Sequence, residues 1–159
     1  MNEQGGVNME RISKDRYYLN IAEAVAGRST CLRRRYGAVI VNNDEIIATG
    51  YNGAPRGEPN CVDCGFCQRE ELNIPKGERY ELCVSCHAEM NAIISAARSD
   101  MIGSTIYIVG LEKDGRYANP APCIICRRLV VNAGIKKCIG MVDGSPEEIS
   151  LAAPNLIRR

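Results

Sequence analysis

Two short stretches carry the residue types that can hold a metal ion and move a proton beside it. Cys86-His87-Ala88-Glu89 holds the single histidine of the 159-residue chain and a carboxylate two positions later. Pro122-Cys123-Ile124-Ile125-Cys126 answers it with a Cys-x-x-Cys pair. Zinc catalysis needs three protein ligands and a fourth, exchangeable position, and His87, Cys123 and Cys126 supply three. Three residues apart on the first turn of a helix, the two cysteines share one face, where free N–H groups favour thiolate over thiol. Glu89 lies two residues past His87 and so points to another side of the turn. It reads as the proton carrier beside a water in the fourth position, not as a ligand. A purely structural zinc site has no use for such a carboxylate.

The pattern of the chain supplies elements to hold these groups. Ser13 is placed to cap a helix of about 13 residues with Tyr17, Ile21 and Val25 on its inner face and Gly27 at its end. A loop from Arg28 to Arg35 carries four arginines. Tyr36–Val41 and Glu45–Gly50 read as a hairpin around Asn42-Asn43-Asp44. Residues 58–86 form an insertion with five cysteines and little periodicity. A helix is expected from His87 to about Arg98 with Met90, Ile93, Ile94 and Ala97 inward. Another is expected from Cys123 to Ala133, with Ile125, Leu129 and Val130 inward and Gly134 as its stop. Ser104–Val109 and Lys137–Val142 read as strands. Ser145-Pro146-Glu147-Glu148 resembles a capping box opening a short terminal helix. The order predicts a layered α/β domain around a mixed sheet of about four to five strands flanked by helices. By length, residues 1–159 are one domain, with the cysteine-rich insertion at about 57–86.

Composition excludes some functions. Twenty basic against 19 acidic residues leave a net charge of +1, which argues against a broad phosphate-neutralising face. The absence of Trp and a single Phe argue against base-stacking recognition of nucleic acid. Apolar runs such as Ala38–Val41 are too short to span a bilayer, and the N-terminal residues lack a signal-peptide pattern. The expected location is cytoplasmic, where Cys-x-x-Cys spacings near a histidine mean metal more often than disulfide.

His-x-Glu…Pro-Cys-x-x-Cys is a signature already described for zinc-dependent nucleobase deaminases. The chain resembles the cytidine deaminase-like superfamily and, within it, the deoxycytidylate (dCMP) deaminases. The resemblance rests on Arg28-Ser29-Thr30-Cys31, Gly37–Val41, Gly50-Tyr51-Asn52-Gly53-Ala54-Pro55, His87–Ile93, and Pro122-Cys123 through Asn132–Ile135. It implies a three-layer fold and zinc-dependent hydrolysis of dCMP to dUMP and ammonia, supplying thymidylate synthesis. It also implies that Asn52 meets the sugar hydroxyl, the Ala88 backbone meets the pyrimidine, and Arg28 meets the 5′-phosphate. Family members are commonly homo-oligomers, often hexamers, and several respond to dCTP and dTTP; Arg98 matches a position tied to that control. The alternative substrate is another cytosine or adenine: a free nucleoside, or a base in tRNA or single-stranded DNA. Tyr117-Ala118-Asn119-Pro120-Ala121 departs from the lead-in of many relatives, and Asp143–Arg159 offers no tyrosine for the phosphate side.

Seven cysteines remain. Cys138, within Lys137–Val142, is expected as a small core residue. Spacing offers Cys64-x2-Cys67-x15-Cys83-x2-Cys86 as a second zinc set. The resemblance points instead to Cys31, Cys61, Cys67 and Cys83, which would tie the insertion to the first loop. Cys86 adjoins His87, where a second ion would crowd the first, and is expected to be a packed bystander.

Overall fold

The computed structural model describes residues 10–154. Helix α1 (Lys14–Ala26) begins where Ser13, extended, accepts the Arg16 N–H on its hydroxyl at 3.1 Å. Strands β1 (Arg35–Asn42) and β2 (Glu45–Tyr51) follow as a hairpin. Its turn residues Asn43 and Asp44 both take positive φ, 51° and 62°, as a tight two-residue connection requires. The insertion holds two single-turn helices, α2 (Cys61–Cys64) and α3 (Gln68–Glu71), and a 3₁₀ turn (Tyr80–Leu82). Then come α4 (Ala88–Ile94), α5 (Arg98–Met101), β3 (Thr105–Leu111), β4 (Tyr117–Ala118), α6 (Ile124–Asn132), β5 (Lys137–Val142) and β6 (Ser145–Ile149).

The sheet runs β2-β1-β3-β5-β6, with β4 added to β3. Only β3 and β5 are parallel, so the sheet is mixed. Alternate residues of β1 serve opposite faces, as the two-residue period of a strand demands. Val39 and Val41 join Tyr18, Leu19 and Ala22 of α1, while Ala38 and Ile40 join Ala88 and Ala92 of α4 and Val130 of α6. Cys138 lies in the second cluster, fully buried, as expected of a core thiol. A glycine opens each face to its helix. Any side chain at Gly37 would collide with the Ala22 carbonyl of α1, and one at Gly50 with the backbone of α4 at Ala88 and Ala92.

That close packing explains several departures from the sequence pattern. The buried face of α1 is Tyr18, Leu19, Ala22 and Ala26, one residue round from Tyr17, which is 49% exposed. Alanines must face Gly37, and Tyr18 must reach Asp44, to which its hydroxyl donates at 2.5 Å. Helix α4 ends at Ser95, far short of Arg98, and its buried residues are Ala88, Glu89 and Ala92. Ile94 is 77% exposed, and Ala97 is exposed as well. The Ser95 hydroxyl donates back to the Asn91 carbonyl at 2.8 Å, a bond that competes with continued helix. In α6 the inward residues are Cys126 and Val130, with Leu129 40% exposed, because Cys126 must turn toward His87. Gly134 does end α6 region, at φ +88°.

The largest correction is at the end of the chain. Ser145–Ile149 is not a helix but strand β6, antiparallel to β5. Asp143 (φ 48°) and Gly144 (φ 85°) make a two-residue hairpin turn, and Arg16 of α1 donates to the Gly144 carbonyl at 2.6 Å. Pro146, which cannot donate to a ladder, is tolerated because β6 is the edge strand. With β4 and β6 the sheet has six strands, where four to five were expected.

Candidate active site

Both halves of the metal motif sit at helix starts on the same face of the sheet. His87 is the extended residue preceding α4, at φ −74° and ψ 158°. The residue before it is pinned: Cys86 and Gly53 exchange backbone hydrogen bonds at 3.1 and 2.7 Å, joining this start to the loop leaving β2. Cys123 occupies the equivalent position before α6, and its sulfur accepts the Cys126 N–H at 3.4 Å.

These two starts converge. His87 Nδ1 lies 3.5 Å from Cys123 Sγ and 3.3 Å from Cys126 Sγ. Zinc bonds of about 2.3 Å to sulfur and 2.0–2.1 Å to nitrogen, opened to tetrahedral angles, set N and S about 3.5 Å apart. The donor set therefore fits zinc to within a few tenths of an ångström. Its protonation chemistry agrees. The hydrogen bond from Cys126, opposed by burial and helped by His87, holds the Cys123 thiol down at about 4. The same bond, with burial and the Glu89 charge, drives Cys126 far up. Two thiols that hydrogen-bond to each other favour a single shared proton, and a cation between them would let both ionise.

Glu89 is 6% exposed and lines the same cavity as His87 and Cys123. Burial pushes its carboxyl up, and the His87 charge works against that rise. Among the described residues no Lys or Arg pairs with it. Beside it, Ala88 is fully buried, held against Gly50. Tyr80 meets the His87 ring edge-on at 5.1 Å, and the Arg69 guanidinium stands 4.9 Å over the Tyr80 ring.

Asn52 also lines the cavity and is 8% exposed. Its Oδ1 accepts from the Ser29 hydroxyl at 2.6 Å and the Tyr36 N–H at 2.8 Å, and its Nδ2 donates to the Arg34 carbonyl at 3.0 Å. One amide N–H remains. Asn52 thus clamps the loop after α1 to the end of β2 while keeping a donor free.

Arg28 is exposed beyond α1, its N–H donating to the Val25 carbonyl at 3.0 Å, and it does not line the cavity. The cavity cations are Arg33, Arg34, Arg69 and Lys76. Arg33 and Arg34 stood in the arginine run; Arg69 and Lys76 had no local signal, since nothing near them in sequence marks a cavity wall. Among the other thiols, Cys31, Cys61, Cys67 and Cys83 all line this cavity, whereas Cys64 is exposed and Cys86 is tied up in the Gly53 bridge. Burial first, then neighbouring sulfurs including Cys31, Cys67 and Cys83, raises the Cys61 thiol. Among the described residues, only His87, Cys123 and Cys126 bring three ligand atoms within 4.8 Å of one another.

A mixed sheet sandwiched by helices, with two helix starts presenting His, Cys and Cys beside a buried glutamate, defines a zinc-binding site. Zinc is its cofactor. The chain belongs to the cytidine and deoxycytidylate deaminase family, whose zinc-binding region matches residues 12–142. It is 36% identical over 132 residues to a deoxycytidylate deaminase of Schizosaccharomyces pombe, covering 83% of this chain and 38% of that one. It is also 36% identical over 135 residues to the deoxycytidylate deaminase of Mycobacterium phage D29, covering 82% of this chain and 96% of the phage protein. The dCMP deaminase of cyanophage S-TIM5, solved in complex with dCMP and dUMP, superposes with a TM-score of 0.58 at 27% identity, covering 82% of this chain and 83% of that one. Among the described residues no helix is long and apolar enough to cross a membrane.

Proposed function

We propose that this chain converts dCMP and water to dUMP and ammonia, a step of pyrimidine nucleotide metabolism that supplies thymidylate synthesis. The observation that carries the reading is the buried Glu89 carboxylate in one cavity with a donor set shaped for zinc. When bound, zinc supplies the Lewis acidity that makes water nucleophilic near neutral pH. Glu89 takes one proton from the water as its oxygen joins C4 of the cytosine ring, the N3–C4 double bond opens, and Glu89 passes that proton to N3. It then carries the remaining hydroxyl proton to the amino group, whose bond to C4 breaks to release ammonia as the C4 carbonyl forms. Burial, by raising the carboxyl, keeps Glu89 basic enough for the first transfer and acidic enough for the second. Ala88, at the start of α4, offers backbone to the pyrimidine, and the unused amide N–H of Asn52 suits a sugar hydroxyl.

Residues 1–159 are read as one deaminase domain carrying the insertion. Cys31, Cys61, Cys67 and Cys83, facing one cavity, are read as ligands of a second, structural zinc that fastens the insertion to the first loop. Metal analysis giving two ions per chain supports this, and one ion per chain with the catalytic site full refutes it. Nine unpaired thiols suit a cytoplasmic address. A homo-oligomer, expected as a hexamer, and control by dCTP and dTTP complete the reading; light scattering with and without each nucleotide tests both.

Purified protein offered dCMP, dCTP, deoxycytidine and an RNA oligonucleotide, with ammonia release followed, tests the substrate. Release from dCMP is expected, and release from the oligonucleotide alone refutes the proposal. Glu89→Gln should lower turnover by about 10²–10⁴-fold with zinc retained. Turnover at the wild-type rate would remove Glu89 from the chemistry.

A further inference from the structure

Four cationic side chains line the cavity, and they divide by what neutralises them. Arg33 pairs with Glu70 at 3.2 Å, and Arg34 Nε reaches both carboxylate oxygens of Glu112 at 3.0 and 3.1 Å. Arg69 and Lys76, both from the insertion, have no carboxylate partner among the described residues.

Arg69 is the unusual one. It is only 7% exposed. One terminal nitrogen donates to the Pro75 carbonyl at 3.1 Å and the Glu78 carbonyl at 2.8 Å, while Nε is buried with no partner. An ionised guanidinium taken out of water without an opposite charge is costly, and a buried donor left unpaired adds to that cost. The two carbonyl bonds hold the side chain in place without neutralising it. Its stacking over Tyr80, and the edge contact of Tyr80 with His87, keep the guanidinium within about 10 Å of the imidazole. That span is comparable to the reach of a nucleoside monophosphate from base to phosphate. Lys76 follows Pro75, whose carbonyl Arg69 holds, and stands exposed at the rim of the same cavity.

We propose that Arg69, assisted by Lys76 at the rim, is the subsite for the 5′-phosphate, so that the cysteine-rich insertion reads nucleotide from nucleoside. The proposal rests on dCMP being the substrate. A guanidinium fork suits a phosphate dianion, and binding supplies the counter-charge that Arg69 lacks. Arg33 and Arg34, already paired, hold the cavity wall, and Arg28 stands outside it.

The test compares nucleotide with nucleoside in Arg69→Gln, Arg69→Lys and Lys76→Gln, each checked for zinc content. The measurements are kcat/KM for dCMP and deoxycytidine, and Kd for dUMP and deoxyuridine by calorimetry. In Arg69→Gln the dCMP-to-deoxycytidine ratio of kcat/KM is expected to fall about 10- to 100-fold, mostly through KM, with a matching loss in dUMP affinity. Arg69→Lys should restore part of the ratio, and Lys76→Gln should lower it several-fold. Equal losses for nucleotide and nucleoside, with or without loss of zinc, would mean that Arg69 only braces the insertion or balances its thiolates, and would overturn the proposal. Should Arg69→Gln fail to fold, the exposed Lys76 decides: an unmoved ratio in Lys76→Gln overturns it. Wild-type protein inactive on dCMP fails the functional reading and this one together, whereas wild-type dCMP turnover with unmoved ratios fails this one alone.

Discussion

Replacing Gly50 by alanine tests whether the site depends on α4 lying hard against β2. An added Cβ would stand 2.3 Å from the Ala88 carbonyl oxygen and 2.3 Å from the Ala92 nitrogen, where ordinary contact begins at 3.4 Å. Both neighbours are helix backbone, so no rotamer change relieves the overlap, and α4 must retreat by about 1 Å. Overpacking of this kind costs about 1–3 kcal/mol. At about 2–4 °C per kcal/mol for a chain of this size, Tm should fall by roughly 2–12 °C. The larger effect falls on catalysis, because His87, Ala88 and Glu89 travel with the helix start while Cys123 and Cys126 stay on α6. A displacement of about 1 Å in a catalytic group can cost about 100-fold in rate. The assay is kcat/KM for dCMP on folded, zinc-loaded protein, with Gly37→Ala as the comparison. Gly37 is equally crowded but faces α1, away from the site, so its variant should lose stability with far less loss of rate per folded molecule. A folded Gly50→Ala protein with kcat/KM within threefold of wild type would refute the claim that this contact positions the chemistry.

Other outcomes follow from single side chains. Tyr18 is pushed up to about 12, first by its hydrogen bond to Asp44 and then by burial, and Tyr36 to about 12 by burial. Folded values above the ordinary 10 mean that their stabilisation is whole below pH 10 and is lost as pH rises from 10 to 12. Tm should therefore drop between about pH 10 and 12, and drop less steeply in Tyr18→Phe; parallel profiles would contradict this. Asn52→Ala strands the Ser29 hydroxyl, the Tyr36 N–H and the Arg34 carbonyl, and should lower unfolding free energy by about 2–4 kcal/mol in urea titrations. A loss below about 1 kcal/mol would show that the clamp is dispensable. Gly144→Ala meets nothing nearer than 3.9 Å, so its cost is conformational, about 1–2 kcal/mol, and Gly144→Asn should recover most of it. Equal stabilities for the Ala and Asn variants would argue against the left-handed turn.

The chemistry was legible because it is local. His87, Cys123, Cys126 and Glu89 announce themselves by residue type and by spacing on a first helical turn, and no other histidine competes. The β1–β2 hairpin was equally plain, since its turn residues decide their own backbone angles. Ser145–Glu148 shows the limit. The same residues satisfy a capping box and an edge strand, and the choice fell to Asp143-Gly144 and to an open edge of β5 that no local window contains. On α1, Ile21 and Val25 do pack inward, half-buried, while Tyr17 does not, and the closest contacts fall to Ala22 and Ala26 because Gly37 admits only a small-residue face.

Residue type and short-range spacing, then, marked the two halves of the metal site, His87 and the Cys123/Cys126 pair, because each half lies within one helix start, while only the fold brings them within 3.5 Å of one another. What the tertiary structure alone decided is which charges meet. Arg28, the arginine that the resemblance offered to the phosphate, stands outside the cavity, while Arg69, unmarked in the insertion, is buried in its wall. Whether a cation is neutralised depends on acids distant in sequence, such as Glu112 for Arg34, and that pairing exists only once the chain has folded.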